Sequence, residues 1–313
     1  MKKTDILVAG PFYPPQLERL DCEFTTHKLW QASDRAAFLK ERANSIRGIA
    51  TTGFHGATAE VMDALPKVEI ISCFGVGVDA IDLKAAAERK IIVTNTPEVL
   101  NDDVADLALA LMLMASRRLA VGDRFVRDGK WLKGTQPLAR KLTGKRLGIL
   151  GLGRIGQAIA KRAEAFDMPI AYHNRKPVEG AKYRYYKDLA ELAAESDFLV
   201  AICPGGAATK RIVSEKVMKA LGPQGILVNV ARGSVVDEAA LVKCLQDGSL
   251  GGAGLDVFED EPRAPEALFS MEQVVLAPHV GSATHESRNE MGRLTVDNLL
   301  AHFAGKPVLT PVG

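Results

Sequence analysis

The chain has 313 residues, 47% of them hydrophobic and 25% charged, with 40 basic against 38 acidic side chains and a formal net charge of +2. That length allows two domains at ~100–200 residues each, and the composition is that of an ordinary globular protein. The near-neutral balance excludes a protein whose overall field would hold it to nucleic acid or a membrane surface.

Four cysteines, Cys22, Cys73, Cys203 and Cys244, are scattered without C-x-x-C spacing. They read as structural thiols of a reducing compartment rather than as a disulfide framework or zinc knuckle, and no metal site is expected. At the N-terminus, "MKKTDILVAGPFYPP" carries an apolar run from Ile6 to Ala9, too short for a signal-peptide core and followed by prolines. A cytoplasmic address is expected.

Apolar strands and helical stretches alternate from the start. The strands "DILVAG", "IRGIATT", "VEIISCFG" and "IIVTNT" fill the first third, with "DRAAFLKERA" and "TAEVMDALP" as helices between them. Continuous apolar runs separated by amphipathic helices predict a parallel sheet covered on both faces. Then comes a long helix in "NDDVADLALALMLMASRR", with acids at its start and Arg117 and Arg118 at its end. Its apolar middle, Leu107 to Ala115, is well short of the ~20 residues of a membrane span. A helix apolar all round needs covering on more than one side, and a partner copy is the expected cover.

The alternation resumes in "KRLGILG", "PIAYHN", "DFLVAIC", "GILVNVA", "GAGLDVF" and "QVVLAP". Two doubly wound α/β units are therefore predicted. A final helix near Thr284 to Ala304 leads the chain back, so the first domain is read as discontinuous, residues 1–98 with 285–313, around a second of residues 99–284.

The second unit opens with Gly151-x-Gly153-x-x-Gly156 between the strand "KRLGIL" and the helix "IGQAIAKRAEAF". Such glycines allow the tight turn, the approach of a pyrophosphate to the backbone, and close helix–strand packing, and the phosphates meet the helix N-terminus. An acid ~20 residues on would bind the ribose 2′-hydroxyl of NAD. Twenty-three positions after Gly151 (174 − 151) the chain instead reads Asn174-Arg175-Lys176. A 2′-phosphate wants cations, and an arginine fork can grip one while lysine adds a point charge. The expected cofactor is NADPH.

Three polar islands follow apolar strands downstream: "NVARGSVVDEAAL", "GGAGLDVFEDEP" and "LAPHVGSATHES". Strand C-terminal ends are where open α/β sheets keep their ligands. With "FGVGVDAIDL", "TNTPEVLNDDVADLALAL" and "GLGRIG", these islands make the chain resemble the D-isomer-specific 2-hydroxyacid dehydrogenase family, and within it the NADPH-dependent glyoxylate/hydroxypyruvate and hydroxyphenylpyruvate reductases. The resemblance implies a Rossmann dinucleotide-binding domain and a flavodoxin-like substrate-binding domain, dimerisation through the long helix, and an approach of Trp131 to the partner's site.

It also implies a triad of Arg232, Glu261 and His279. An imidazole titrates near neutrality and suits proton donation; Glu261 would orient it and favour its charged form; Arg232 would hold a substrate carboxylate and polarise the keto oxygen. Val76 and Gly77 are implied carboxylate donors. "TTGFHGAT" resembles the loop that roofs the substrate pocket, so Phe54 and His55 are implied side-chain contacts.

Implied cofactor contacts are Val104, Gly151, Leu152, Gly153, Arg154, Ile155, Gly156, Asn174, Arg175, Lys176, Cys203, Pro204, Thr209, Val230, Ala231, Asp256, His279 and Gly281. Asp256 resembles the residue that bonds the nicotinamide carboxamide. Asp79 and Asp82 read as helix caps. One departure is plain: Gly205-Gly206-Ala207-Ala208 replaces the stiffer family loop before Thr209.

The reading that follows is NADPH-dependent reduction of a small 2-keto acid to a D-2-hydroxy acid. A dehydrogenase of 3-phosphoglycerate, formate or phosphite is an alternative; against the first, no regulatory domain follows "LTPVG", and the other two usually feed NAD. A dinucleotide-sensing binding protein without catalysis is the alternative of another class.

Overall fold

The computed structural model describes residues 3–312. They form two compact units, one running up to Leu100 and resuming at Thr284, the other spanning Asn101–Ala283.

The first unit runs β1 (Asp5–Val8), α1 (Pro14–Glu23), β2 (Thr25–Lys28), α2 (Arg35–Arg42), β3 (Gly48–Thr52), α3 (Ala59–Ala64), β4 (Ile70–Phe74), α4 (Leu83–Glu88) and β5 (Ile92–Thr94). Its sheet has the order β2-β1-β3-β4-β5, parallel throughout. Every residue of β3 and β4 is buried, which is why both read as unbroken apolar runs. Strand β2 has no counterpart among the predicted strands: "TTHK" lies on the sheet edge and buries none of its residues fully, so it needs no apolar pattern. Aspartates start two of the helices. Asp34 accepts from the N–H groups of Ala36 and Ala37, and Asp82, an expected cap, accepts from Ala85.

The second unit continues with α5 (Asn101–Arg117), α6 (Leu119–Arg127), β6 (Leu147–Leu150), α7 (Arg154–Glu164), β7 (Ile170–His173), β8 (Arg184–Tyr185), α8 (Leu189–Ala194), β9 (Phe198–Ala201), α9 (Glu215–Leu221), β10 (Ile226–Asn229), α10 (Glu238–Gln246), β11 (Gly252–Leu255) and β12 (Val274–Leu276). The seven strands are again parallel, in the order β12-β11-β10-β9-β6-β7-β8. The two-residue edge strand β8 is too short to leave a periodic signal. Chain order reverses between β6 and β9, and such switch points open ligand crevices at strand C-termini. Both units are thus doubly wound parallel α/β domains.

Helix α11 (His285–Phe303) returns the chain to the first unit. There the buried Asn298 accepts from the N–H groups of Leu309 and Thr310 and donates to the Thr310 hydroxyl. The tail then reaches β5 through Val312 N–H to Val93 O at 2.8 Å.

Helix α5 is covered in part by its own unit, while Leu107, Ala110, Leu113 and Met114 stay partly exposed. Val104, Ala105, Ala108, Leu109, Leu111, Met112 and Ala115 are buried, and the helix packs on α7, β10, β11 and β12 of its own unit. Exposed apolar side chains also come just after it: Leu119, Val126, Trp131, Leu132 and Leu138, the last fully exposed. No helix among the described residues is long and apolar enough to cross a membrane.

Candidate active site

Three strand ends of the second unit build the polar cluster. After β10, the side chain of Asn229 accepts from Ala231 N–H at 3.1 Å and donates to Arg232 O at 3.0 Å, folding the chain into a fixed turn. Arg232 follows in extended backbone, its Nη1 donating to Ala231 O at 2.7 Å. At Gly233 an added Cβ would lie 1.8 Å from the carbonyl carbon of Phe258. Only glycine lets the Arg232 segment press against the loop that carries Glu261.

That loop follows β11. Glu261 Oε1 accepts from Phe258 N–H at 3.0 Å, and Oε2 lies 2.7 Å from His279 Nδ1. Burial works against ionisation of Glu261, but the bonds from His279 and Phe258 and the charges of His279 and Arg232 outweigh it. They hold its carboxyl below the usual range. The carboxylate can only accept, so His279 Nδ1 is the donor and Nε2 is the nitrogen turned to other work.

His279 lies after β12 with φ 53°, a left-handed conformation costing ~1–3 kcal/mol outside glycine. A buried side chain braces it there. Asp256, 2% exposed, accepts from Val280 N–H at 2.7 Å through Oδ1 and from Gly281 N–H at 2.9 Å through Oδ2, while its own carbonyl accepts from His279 N–H. Burial pushes the Asp256 carboxyl up, against those bonds and the His279 charge. Asp256 is thus a brace for His279 as well as an expected cofactor contact. A Cβ on Gly281 would touch Asp256 and Val104, so these three expected contacts sit together.

Another carboxylate belongs here that the sequence did not single out. Glu238, in the first turn of α10, accepts from Glu259 N–H at 2.7 Å and so ties down the Glu261 loop. Burial pushes it up; the Glu259 N–H opposes this, and the neighbouring Glu259, Asp260 and Glu261 charges add to the rise. In "SVVDEAAL" it reads as helix-start charge beside Asp237, which caps α10, and nothing in the spacing separates the two.

The glycine turn fits a dinucleotide. Gly151, at φ 106°, could not carry a Cβ, which would sit 2.7 Å from Cys203 N where β9 ends, and one on Gly156 would lie 2.1 Å from Gly151 O. Around Gly153 the space is open, and α7 begins there with no side-chain cap. The N–H groups of the Arg154-Ile155-Gly156 turn therefore face room for phosphate.

Asn174, an expected cofactor contact, also braces the turn: its Oδ1 accepts from Leu152 N–H at 2.7 Å. Arg175 and Lys176, just beyond β7, are exposed and pair with no acid among the described residues. Val230, Ala231 and Cys203 are buried, whereas Pro204 is exposed. The Thr209 hydroxyl donates to Pro204 O at 2.7 Å, closing the glycine-rich loop on itself.

In the first unit, Asn95 Nδ2 donates to Val76 O at 2.9 Å, and Gly75 and Thr96 exchange two further bonds. The N–H groups of Val76 and Gly77 find no partner among the described residues, as suits donors for an anion. Phe54, on the loop after β3, is 62% exposed, and His55 Nδ1 lies 2.8 Å from the Thr52 hydroxyl.

Residues 109–281 match the family described as D-isomer specific 2-hydroxyacid dehydrogenase, NAD binding domain. The chain is 50% identical over 312 residues to hydroxyphenylpyruvate reductase of Plectranthus scutellarioides, covering all of both. It is 49% identical, again end to end, to glyoxylate/hydroxypyruvate reductase A of Arabidopsis thaliana. Among solved structures it resembles the NADPH-dependent glyoxylate/hydroxypyruvate reductase of Sinorhizobium meliloti in complex with NADP and malonate. The TM-score is 0.94 at 47% identity, covering 100% of this chain and 97% of that one.

Proposed function

Because the chain belongs to the D-isomer specific 2-hydroxyacid dehydrogenase family, we propose that it reduces small 2-keto acids, glyoxylate, hydroxypyruvate and arylpyruvates among them, to D-2-hydroxy acids with NADPH. The observation that carries this reading is the 2.7 Å contact of His279 Nδ1 with Glu261, beside Arg232. Reduction of a keto group needs a proton at its oxygen. His279, with Nδ1 committed to a carboxylate, presents Nε2 as the proton donor. Arg232 holds the substrate carboxylate with its planar fork and polarises the keto oxygen, and Val76 and Gly77 add backbone donors. Phe54 meets the substrate side chain. Bound NADPH would supply the hydride to the carbonyl carbon.

Arg175 and Lys176 carry the choice of NADPH over NADH, as unpaired cations where a 2′-phosphate would lie. NADPH oxidation at 340 nm with a 2-keto-acid panel is the test. The expected result is a higher kcat/KM with NADPH than with NADH, eroded in Arg175→Asp. Equal or better efficiency with NADH refutes the cofactor assignment, and no turnover with any 2-keto acid favours a dinucleotide-sensing binder.

A second copy of the chain covers the apolar residues of α6 and the segment through Leu138, and Trp131 reaches the partner's site. Exposed apolar residues close together in the chain suit an interface, and the two-fold pair is the commonest closed assembly. Sedimentation equilibrium at micromolar protein should return twice the chain's 33.7 kDa. A mass of one chain contradicts the pairing.

A further inference from the structure

The Val76 and Gly77 N–H groups of the first unit sit on peptide planes that are held by their carbonyls. In a trans peptide the C=O and N–H point to opposite sides, so fixing one aims the other. Neither of these peptides is cis. Gly75 O, on the plane that carries the Val76 N–H, accepts from Thr96 N–H at 3.0 Å. Val76 O, on the plane that carries the Gly77 N–H, accepts from Asn95 Nδ2 at 2.9 Å. The first anchor is backbone; the second is a single side-chain amide.

Asn95 is itself seated by the C-terminal tail. It follows β5, the edge strand of the sheet. Its N–H donates to Thr310 O at 3.3 Å, and its carbonyl accepts from the Thr310 hydroxyl at 2.6 Å. That hydroxyl accepts in turn from Nδ2 of the buried Asn298, whose Oδ1 takes the Thr310 N–H at 3.1 Å. Every polar group of Thr310 is engaged, and the bonds run from α11 through Thr310 and Asn95 to the Val76 carbonyl. We propose that Asn95, seated by Thr310, is a positioning residue that aims the Gly77 N–H at the substrate carboxylate, an inference that rests on the 2-keto-acid reading above. Glycines flank the loop, Gly75 at φ 144°, and offer the Val76–Gly77 peptide little steric resistance to turning. A donor that must first be oriented binds an anion more weakly than one already aimed.

Asn95→Ala should raise KM for glyoxylate and hydroxypyruvate about tenfold, the worth of one hydrogen bond to a charged group. The change in kcat should be much smaller, and KM for NADPH, whose glycine turn lies in the second unit, should stay in place. Thr310→Val, which can neither donate nor accept, should move KM in the same direction by less, and Thr310→Ser should bring it back toward the wild type. A merely structural role lowers melting temperature and kcat and leaves KM for the keto acids where it was, which overturns the proposal. So does a Thr310→Ser protein no better than Thr310→Val. Calorimetric titration of D-lactate onto the NADP-loaded proteins separates this failure from failure of the catalytic reading. Weaker D-lactate binding in Asn95→Ala supports the residue whatever the turnover; equal affinity in the two proteins rejects it, even where the wild type reduces 2-keto acids.

Discussion

His279→Ala should cut kcat for 2-keto-acid reduction by ~10²–10⁴-fold, the usual worth of a positioned general acid. The expectation rests on how much of the unit is devoted to placing one ring. Asp256 uses both carboxylate oxygens and its own carbonyl to hold residues 279–281, and Glu261 fixes the tautomer from the other side. Alanine tolerates the left-handed backbone at residue 279 poorly, so a loss could arise from a displaced loop. His279→Asn removes that ambiguity, because asparagine adopts positive φ readily and supplies no comparable acid. Steady-state kinetics on both variants, with melting temperatures alongside, decide the point. A folded His279→Asn protein with kcat within about threefold of the wild type would refute the role.

Arg232→Lys should lower kcat/KM by ~10²–10³-fold, in the range of a lost donor to developing negative charge. Lysine keeps the charge but not the two-pronged geometry that matches a carboxylate. Gly233 makes the position strict: pressed on the Phe258–Glu259 peptide, it fixes where the side chain at 232 begins. Lysine's flexible, shorter-reaching side chain cannot make up the geometry by moving the backbone. The loss should appear in KM through the carboxylate and in kcat through the keto oxygen. Kinetics indistinguishable from the wild type would exclude Arg232 from the substrate.

Much of this was legible in residue order. Ten strands announced themselves as apolar runs because both faces of each sheet are covered. Strands β2 and β8 did not, since edge strands of four and two residues need no apolar pattern. The glycine turn was readable because Gly151, Gly153 and Gly156 each answer a different steric demand. What the sequence hid was division of labour among polar side chains. Asn174, an expected cofactor contact, also braces Leu152 through its oxygen. Asp256 holds the His279 turn across 23 residues of sequence (279 − 256), and Glu238 ties down a loop 21 residues on (259 − 238). Long-range pairings of this kind leave no local periodicity. Helix α5 was legible as one that needs cover: its own sheet and α7 cover part of it, and Leu107, Ala110, Leu113 and Met114 stay partly exposed.

Delivery of the proton by a Glu261-supported His279 should show in the pH dependence of kcat/KM for hydroxypyruvate reduction. Glu261 is held below the usual carboxylate range and so stays negative through neutral pH beside the ring. Reduction takes up a proton from a general acid, so the rate should fall as pH rises. Glu261→Gln removes that negative charge, and its descending limb should lie at lower pH than the wild type's. Superimposable profiles, or a limb displaced to higher pH, would contradict the pairing.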